Sequence, residues 1–393
     1  MESTAAWSYS NNVYNYCHLP TRAASTMDMV VFRIFDMKTH SVVQMYPSET
    51  GCFAAILPKN LAGRYNFNIH TIALAQDLSL TDIDNLSTQE TYELIPCTEI
   101  PPFSDNITVR RRELNAISCE NGENGSGKWT LIPKSEAYRF KPLIIGMSMK
   151  YRNFGPKGIR SGPGKLNWDP HLWEPEACSY RIFQKTELKI CLKHTLYPIL
   201  FIGDSLLQFY PIEIKYLLGQ INGKKRVKEM FIFEKHRGQI KNLLPRLSKI
   251  VGRRTFSTIV LNSGAWDLIS STIAEYEKSL RLVIRELKKL TKNKTRIIWR
   301  MISAPKLFEN KTECAKYPQR LDRVVRMNSI ATSVLREENV EIFDVFPSSL
   351  AATSEWYDDN LHLGTHNAKS GVHAMHVQML LNMLCGKISM NML

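Results

Sequence analysis

Hydrophobic positions recur with two different rhythms along this chain. From Met29 to about Glu99 the apolar runs are short and strand-like, as in Val30-Val31-Phe32-Arg33-Ile34-Phe35 and Cys52-Phe53-Ala54-Ala55-Ile56-Leu57. In Tyr65 to His70 the residues Tyr65, Phe67 and Ile69 alternate with Asn66, Asn68 and His70, the period of a half-buried strand. Turn residues separate these runs, which predicts a small β-sandwich over 29–99. Beyond about residue 180 the rhythm becomes strand then helix. Apolar runs fall at Ile199–Ile202, Met230–Phe233, Thr258–Leu261, Ile297–Met301 and Val340–Phe346. Between them, Ile273, Tyr276, Leu280, Val283, Ile284, Leu287 and Leu290 form a helical stripe, and a second helix is expected over Leu321–Glu337. Short buried strands alternating with helices predict a parallel sheet covered on both faces, a three-layer α/β domain.

Two segments break the pattern. Residues 1–28 are polar and read as a leader or linker, and 100–126 read as a second linker ending in Asn121-Gly122-Glu123-Asn124-Gly125-Ser126. Residues 150–176 are irregular and carry Trp168 and Trp173, either core anchors or faces on which a sugar ring stacks.

Charge and cysteine content narrow the setting. The 393 residues carry a net charge of +14. Basic groups gather at Arg110–Arg112, Lys224–Arg226 and Lys288–Arg296, either solvated faces or a surface for acidic glycans. No nucleic-acid-binding module is legible, and no apolar stretch reaches the length of a membrane span. Eight cysteines without a C-x-x-C, and N-x-S/T sequons at Asn85, Asn106, Asn124, Asn293 and Asn310, favour the secretory pathway, Golgi lumen or secreted. No signal peptide is visible, so a leader or anchor is expected outside this form; a cytosolic chain with reduced thiols is the alternative. Cys178 with Cys191 is the expected disulfide, from their proximity before the strand at 199–202.

Chemistry concentrates at two places. Gly203-Asp204-Ser205 directly follows the run Pro198 to Ile202, and Asp359-Asn360-Leu361-His362 supplies an acid and an imidazole three residues apart. A serine hydroxyl needs a base within hydrogen-bond reach and a third group to orient that base. Ser205 as nucleophile, His362 as base and Asp359 as orienting acid fill those roles. Ligands of parallel sheets bind beyond the C-terminal strand ends, where Ser205 and the segment Asn262-Ser263-Gly264-Ala265-Trp266 both fall. His362, His366, His373 and His376 also crowd together, which leaves a metal site as an alternative, although acidic and sulfur ligands at metal spacing are not obvious.

Gly203-Asp204-Ser205 with Asp359-x-x-His362 resembles the SGNH/GDSL esterase superfamily. Gly127-Lys128-Trp129, the segment Trp173 to Cys178, the Asn262–Trp266 segment, Asp344 and Tyr357–Leu363 resemble its PC-esterase branch over roughly 127–393. A β-sandwich ahead of such a domain resembles the neurexophilin and PC-esterase (NXPE) family. The resemblance implies an SGNH-like domain at 127–393 preceded by an Ig-like sandwich. It also implies an acyl-serine enzyme acting on glycans, most similar to carbohydrate O-acetyltransferases including one for sialic acid. Acetyl-CoA is the implied donor and a glycan or glycoprotein the partner, with no bound cofactor and no metal. Gly203, Asp204, Gly238, Asn262, Gly264 and Trp266 are the implied oxyanion or substrate-binding residues, Gly238 standing for the second oxyanion glycine. An O-acetyl esterase and a catalytically silent interaction protein are the alternatives.

Overall fold

The computed structural model describes residues 6–10, 13–17, 29–47, 53–57, 63–73, 103–109, 117–119, 125–133, 171–193, 198–218, 231–307, 319–363 and 372–386, apart from 37, 177, 237 and 293. Its centre is a five-stranded parallel sheet. The strands are β12 (Ile199–Gly203), β13 (Phe231–Lys235), β14 (Thr258–Leu261), β15 (Arg296–Arg300) and β16 (Glu341–Phe343), in spatial order β13-β12-β14-β15-β16. Every neighbouring pair is parallel. The order reverses between β12 and β14, which makes the gap beyond their C-terminal ends the topological switch point of a doubly wound sheet.

Alternation along each strand builds two cores. Ile199, Phe201, Val260, Ile298 and Phe343 face one side with α1 (Lys185–Lys193), α2 (Tyr210–Leu217) and α8 (Val372–Cys385). Leu200, Ile202, Ile259, Leu261, Trp299 and Ile342 face the other with α3 (Leu244–Val251), α5 (Ile273–Thr291) and α6 (Leu321–Glu337). The stripe expected in α5 is buried from Ile273 to Leu287, and a Thr272–Glu275 capping box starts the helix. Lys292 in the left-handed region ends it. Burying each large side chain of this stripe contributes roughly 1.5–3 kcal/mol. Two short helices, α4 (Asp267–Ser270) and α7 (Phe346–Leu350), carry loops at the C-terminal edge. Among the described residues no helix is long and apolar enough to cross a membrane.

The remaining strands are antiparallel except for one short pair. They are β1 (Ala6–Ser10), β2 (Val13–Cys17), β3 (Met29–Phe35), β4 (Thr39–Pro47), β5 (Phe53–Ile56), β6 (Gly63–Ala73), β7 (Phe103–Val109), β9 (Gly127–Leu131) and β10 (His171–Pro175), connected as one sheet through β4. β8 (Ile117–Ser118) and β11 (Cys178–Ser179) form a separate parallel pair. β1 and β2 fall in the segment read as a leader, and β7 and β8 fall in the segment read as a linker. β9 and β10, the start of the 127–393 unit, join the antiparallel sheet where His40 meets Trp129.

Gly127 and Trp129 are packing residues. A Cβ on Gly127 would lie 2.6 Å from the Glu174 carbonyl and 2.7 Å from the Trp173 ring. Trp129 is fully buried, packs tilted against the Trp173 ring and edge-on to the Trp356 ring, and donates its indole N–H to the Ser348 carbonyl at 2.8 Å. Trp173 is therefore a core anchor rather than a stacking face, and Trp168 lies outside the described residues.

The disulfide expectation needs correction. Cys178 bonds Cys119, and Cys191 bonds Cys385. Pairing of β11 with β8 sets Cys178 beside Cys119, whereas Cys191 lies on the buried side of α1 against α8. Nearness in sequence was a poor guide because α1 turns the second cysteine into the core.

Of the basic clusters, Arg110–Arg112 and Lys224–Arg226 lie outside the described residues. In the third, Lys289 pairs with Glu286 and Arg296 with Glu341. Arg296 opens β15, at the sheet edge opposite the one that Ser205 occupies.

Candidate active site

Ser205 stands two residues beyond β12 on a tight turn. Gly203 ends the strand because nothing larger fits. A Cβ there would come within 1.9 Å of the Asn262 side-chain oxygen and 2.9 Å of its carbonyl. Asp204 and Asn262 then lock the ends of β12 and β14 together. The Asp204 N–H donates to Asn262 Oδ1 at 3.1 Å, and Asn262 Nδ2 donates to Asp204 Oδ1 at 2.7 Å. The same Asp204 oxygen accepts the Leu206 N–H at 2.9 Å, which shapes the turn through Ser205. Both Asp204 and Asn262 are buried, while Ser205 is partly open.

The Asp359–His362 turn arrives from the far side of the sheet. Tyr357 anchors it through its buried hydroxyl, whose one proton is shared between the carbonyls of Ala304 and Ser349, at 3.0 and 2.9 Å. The Asp358 N–H bonds the His362 carbonyl at 2.8 Å, and Lys306 N–H bonds the Asn360 carbonyl at 2.7 Å. Within the turn, Asp359 Oδ1 accepts the N–H groups of Leu361 and His362, both at 2.8 Å. Its other oxygen faces His362 Nδ1 at 2.7 Å. The opposite ring nitrogen, Nε2, lies 2.7 Å from Ser205 Oγ. A serine, an imidazole and a carboxylate thus form one hydrogen-bonded row, with residues 157 positions apart brought into contact.

The electrostatics suit proton exchange near neutrality. Burial pushes the Asp359 carboxyl up, but hydrogen bonds from His362 and from the Leu361 and His362 backbone outweigh it and hold it at about 2. Burial lowers the His362 imidazole, but the hydrogen bond and charge of Asp359, with Asp204 and Asp358 behind, leave it above its ordinary value. With Asp359 ionised, Nδ1 carries the proton and Nε2 is free to accept one.

The other expected residues lie on two loops of the same sheet edge. Gly238 follows β13 in the left-handed region, at φ +124°, just past His236, whose N–H bonds the Gly203 carbonyl at 2.7 Å. Gly264 also has a positive φ, +123°, and a Cβ there would strike Ile302 Cδ1 at 2.4 Å. Trp266 is 45 % exposed, a large aromatic left open beside a buried loop. His373 and His376 turn away from the site. His373 Nδ1 meets Glu213 at 2.6 Å and His376 Nε2 meets Ser348 Oγ at 2.8 Å. His366 lies outside the described residues, and among those described no cluster of three or more His, Cys, Asp or Glu is set to hold a metal.

Sequence reasoning missed Tyr357 as an anchor and Asp267 as a loop clamp. Asp267 directly follows Trp266, so its position was visible but its partner, Ile240, lies 27 residues back.

No family model matches the sequence, and no curated protein does. Solved structures do resemble it. An acetyl xylan esterase, AlAXEase, is 15% identical, with a TM-score of 0.36 over 47% of this chain and 99% of its own. A GDSL-like lipase from Bacteroides thetaiotaomicron is 16% identical, with a TM-score of 0.34 over 47% of this chain and 87% of its own. The acetylxylan esterase Axe2 from Geobacillus stearothermophilus is 16% identical, with a TM-score of 0.36 over 48% of this chain and 94% of its own.

Proposed function

We propose that the chain is an acyl-serine enzyme with Ser205 as nucleophile, His362 as general base and Asp359 as orienting acid. The observation that carries this reading is the continuous row from Asp359 Oδ2 through both His362 nitrogens to Ser205 Oγ, with 2.7 Å at each step. Ser205 Oγ attacks the carbonyl carbon of an ester or thioester while its proton passes to His362 Nε2. The tetrahedral oxyanion collapses, and the leaving group departs with the proton from His362. The acyl-Ser205 then meets a hydroxyl, whose proton returns through His362 as Ser205 is released.

The oxyanion needs fixed donors at this edge. The Ser205 N–H, the backbone of the Gly238 loop and the second N–H of the Asn262 amide are the groups we assign, since only one Asn262 N–H is used on Asp204. The acceptor we favour is a carbohydrate hydroxyl, with acetyl-CoA as donor and sialic acid as a candidate acceptor; with water as acceptor the enzyme is an O-acetyl esterase. Support for a glycan comes from the exposed Trp266 on the loop that bears Asn262. The two disulfides described and the sequons support a secretory-pathway setting, and β3 to β6, within residues 29–99, are the proposed Ig-like unit ahead of the catalytic one.

Labelling with a fluorophosphonate tests the nucleophile. Wild type is expected to label and Ser205→Ala to lose the label. Equal labelling of both, or none of wild type, removes the acyl-serine reading. Mass analysis of a sialylated acceptor after incubation with acetyl-CoA then separates transfer from release of acetate.

A further inference from the structure

The Gly238 loop and the Asn262 loop leave different strands, yet one buried carboxylate joins them. Asp267, 1 % exposed, accepts the Ile240 N–H on both oxygens at 3.2 and 3.0 Å. It also accepts the hydroxyls of Ser271 at 3.0 Å and Ser263 at 3.5 Å. Gln239 reinforces the same seam. The two N–H groups of its Nε2 are shared among the Ser270 carbonyl at 2.7 Å and the Ser270 and Ser271 hydroxyls at 3.0 Å. At the other end of the loop, the His236 N–H is fixed to the Gly203 carbonyl, and the His236 ring lies 3.0 Å from the Gln239 carbonyl. Gly238 sits between these two anchorages. Among the described residues a Cβ there would meet only Asn242 Nδ2 at 3.6 Å, so backbone conformation rather than crowding calls for glycine.

We propose that Asp267 is a positioning residue for acyl transfer at Ser205, clamping the Gly238 loop to the Asn262–Trp266 loop so that the oxyanion donors of both are held in one geometry. The proposal rests on the acyl-serine reading. A buried carboxylate is a costly way to join two loops unless its lone pairs are filled, and here backbone and hydroxyl donors fill them. Displacement of a reacting group by about 1 Å costs roughly 100-fold in rate, so a clamp on the two loops that carry the oxyanion donors acts on kcat.

Protonation of Asp267 offers an independent readout. Burial pushes its carboxyl up, the Ile240, Ser271 and Ser263 hydrogen bonds pull it back, and the Asp204 charge pushes it up again, to about 6. The ionisable groups around it are Asp204 beyond β12, Tyr276 of α5 and Arg323 of α6. Arg323 donates to the Leu268 and Ser271 carbonyls. A protonated acid turns one oxygen into a donor and loosens the two-oxygen grip on Ile240.

The test is kcat and KM for p-nitrophenyl acetate, per fluorophosphonate-titrated site, in the full chain and its Asp267→Asn and Ser271→Ala variants. Asp267→Asn is expected to lose ~100-fold in kcat with KM within about twofold. Ser271→Ala, which removes one hydroxyl from the clamp, is expected to lose about fivefold, one hydrogen bond's worth. Below about pH 6 wild-type log kcat/KM should fall with a slope of about 2, from His362 and Asp267 together, and Asp267→Asn with a slope of about 1. If Asp267→Asn yields few titratable sites, Ser271→Ala and the wild-type slope still decide. Normal kcat in both variants with a wild-type slope of about 1 overturns the clamp while leaving Ser205 labelled. An unlabelled wild type instead removes the acyl-serine reading and the clamp with it.

Discussion

Replacing Gly203 by Ala probes the tightest contact at the site. The new methyl would lie 1.9 Å from Asn262 Oδ1, 2.9 Å from its carbonyl and 3.0 Å from its side-chain carbon. Neither party can yield cheaply, because Gly203 is the last residue of β12, paired with Lys235 of β13, and Asn262 is held by Asp204 through two hydrogen bonds. Forcing a methyl into such a space costs about 2 kcal/mol, and losing the two buried Asp204–Asn262 hydrogen bonds costs about 1 kcal/mol each. The variant should therefore lose about 4 kcal/mol by urea unfolding of the α/β unit. Because Asn262 is also an assigned oxyanion donor, kcat for p-nitrophenyl acetate should fall ~100- to 1,000-fold in the molecules that remain folded. The double variant Gly203→Ala with Asn262→Ala separates the two effects. Its stability loss should be smaller than the sum of the singles by about 4 kcal/mol, since the side-chain clash is gone and the same two hydrogen bonds are lost only once, while kcat stays low. Additive stability losses, or a Gly203→Ala enzyme with near-normal kcat, would refute the argument that this glycine makes room for Asn262.

Because His362 acts as a base only when neutral and its imidazole is held above 6.5, kcat/KM should rise with pH to a plateau reached above that value. Asp359→Asn should move this limb to lower pH and cost ~10,000-fold in kcat, read from a full pH–rate profile. Trp266→Ala should raise KM for acetylated oligosaccharides about tenfold while leaving p-nitrophenyl acetate within about twofold, which initial rates on the two substrates will show. Burial, with His171 and Arg33 nearby, lowers the His40 imidazole to about 4. Its folded pKa lies below its unfolded one, so stability is lost as pH falls from about 6.5 toward 4, by about 3 kcal/mol, and acid unfolding of His40→Gln should lack that loss.

The parallel sheet was legible because its strands are uninterrupted apolar runs and the helices between them carry clear stripes. Ile199–Gly203, Thr258–Leu261 and Ile273–Thr291 sit within a residue or two of where the pattern put them. The serine, aspartate and histidine were legible because each lies in a short local motif, and the switch point of the sheet explains why distant motifs meet. What the sequence hid is what depends on long-range pairing. Ala6–Ser10 and Val13–Cys17 are short strands of mixed polarity that pair with each other and join the sheet only where Val13–Cys17 lies against Phe53–Ile56. Gly127 and Trp129 read as part of a functional signature, but their contacts are with Glu174, Trp173 and Ser348. Asp267 carries no local motif, and its task became visible only when Ile240 appeared opposite it.

The bond between Cys191 and Cys385 closes a ring whose two ends lie 194 positions apart. Ser205, Asn262, Asp359 and His362 all belong to that ring, as do all five strands of the parallel sheet. A single protease cut between 191 and 385 would thus leave every one of them on covalently joined polypeptide. A mechanical load applied through the chain outside the ring would run from one cysteine to the other and bypass the strands. The serine and its histidine sit on a segment that is shielded from tension by topology, whatever the rest of the chain is tethered to.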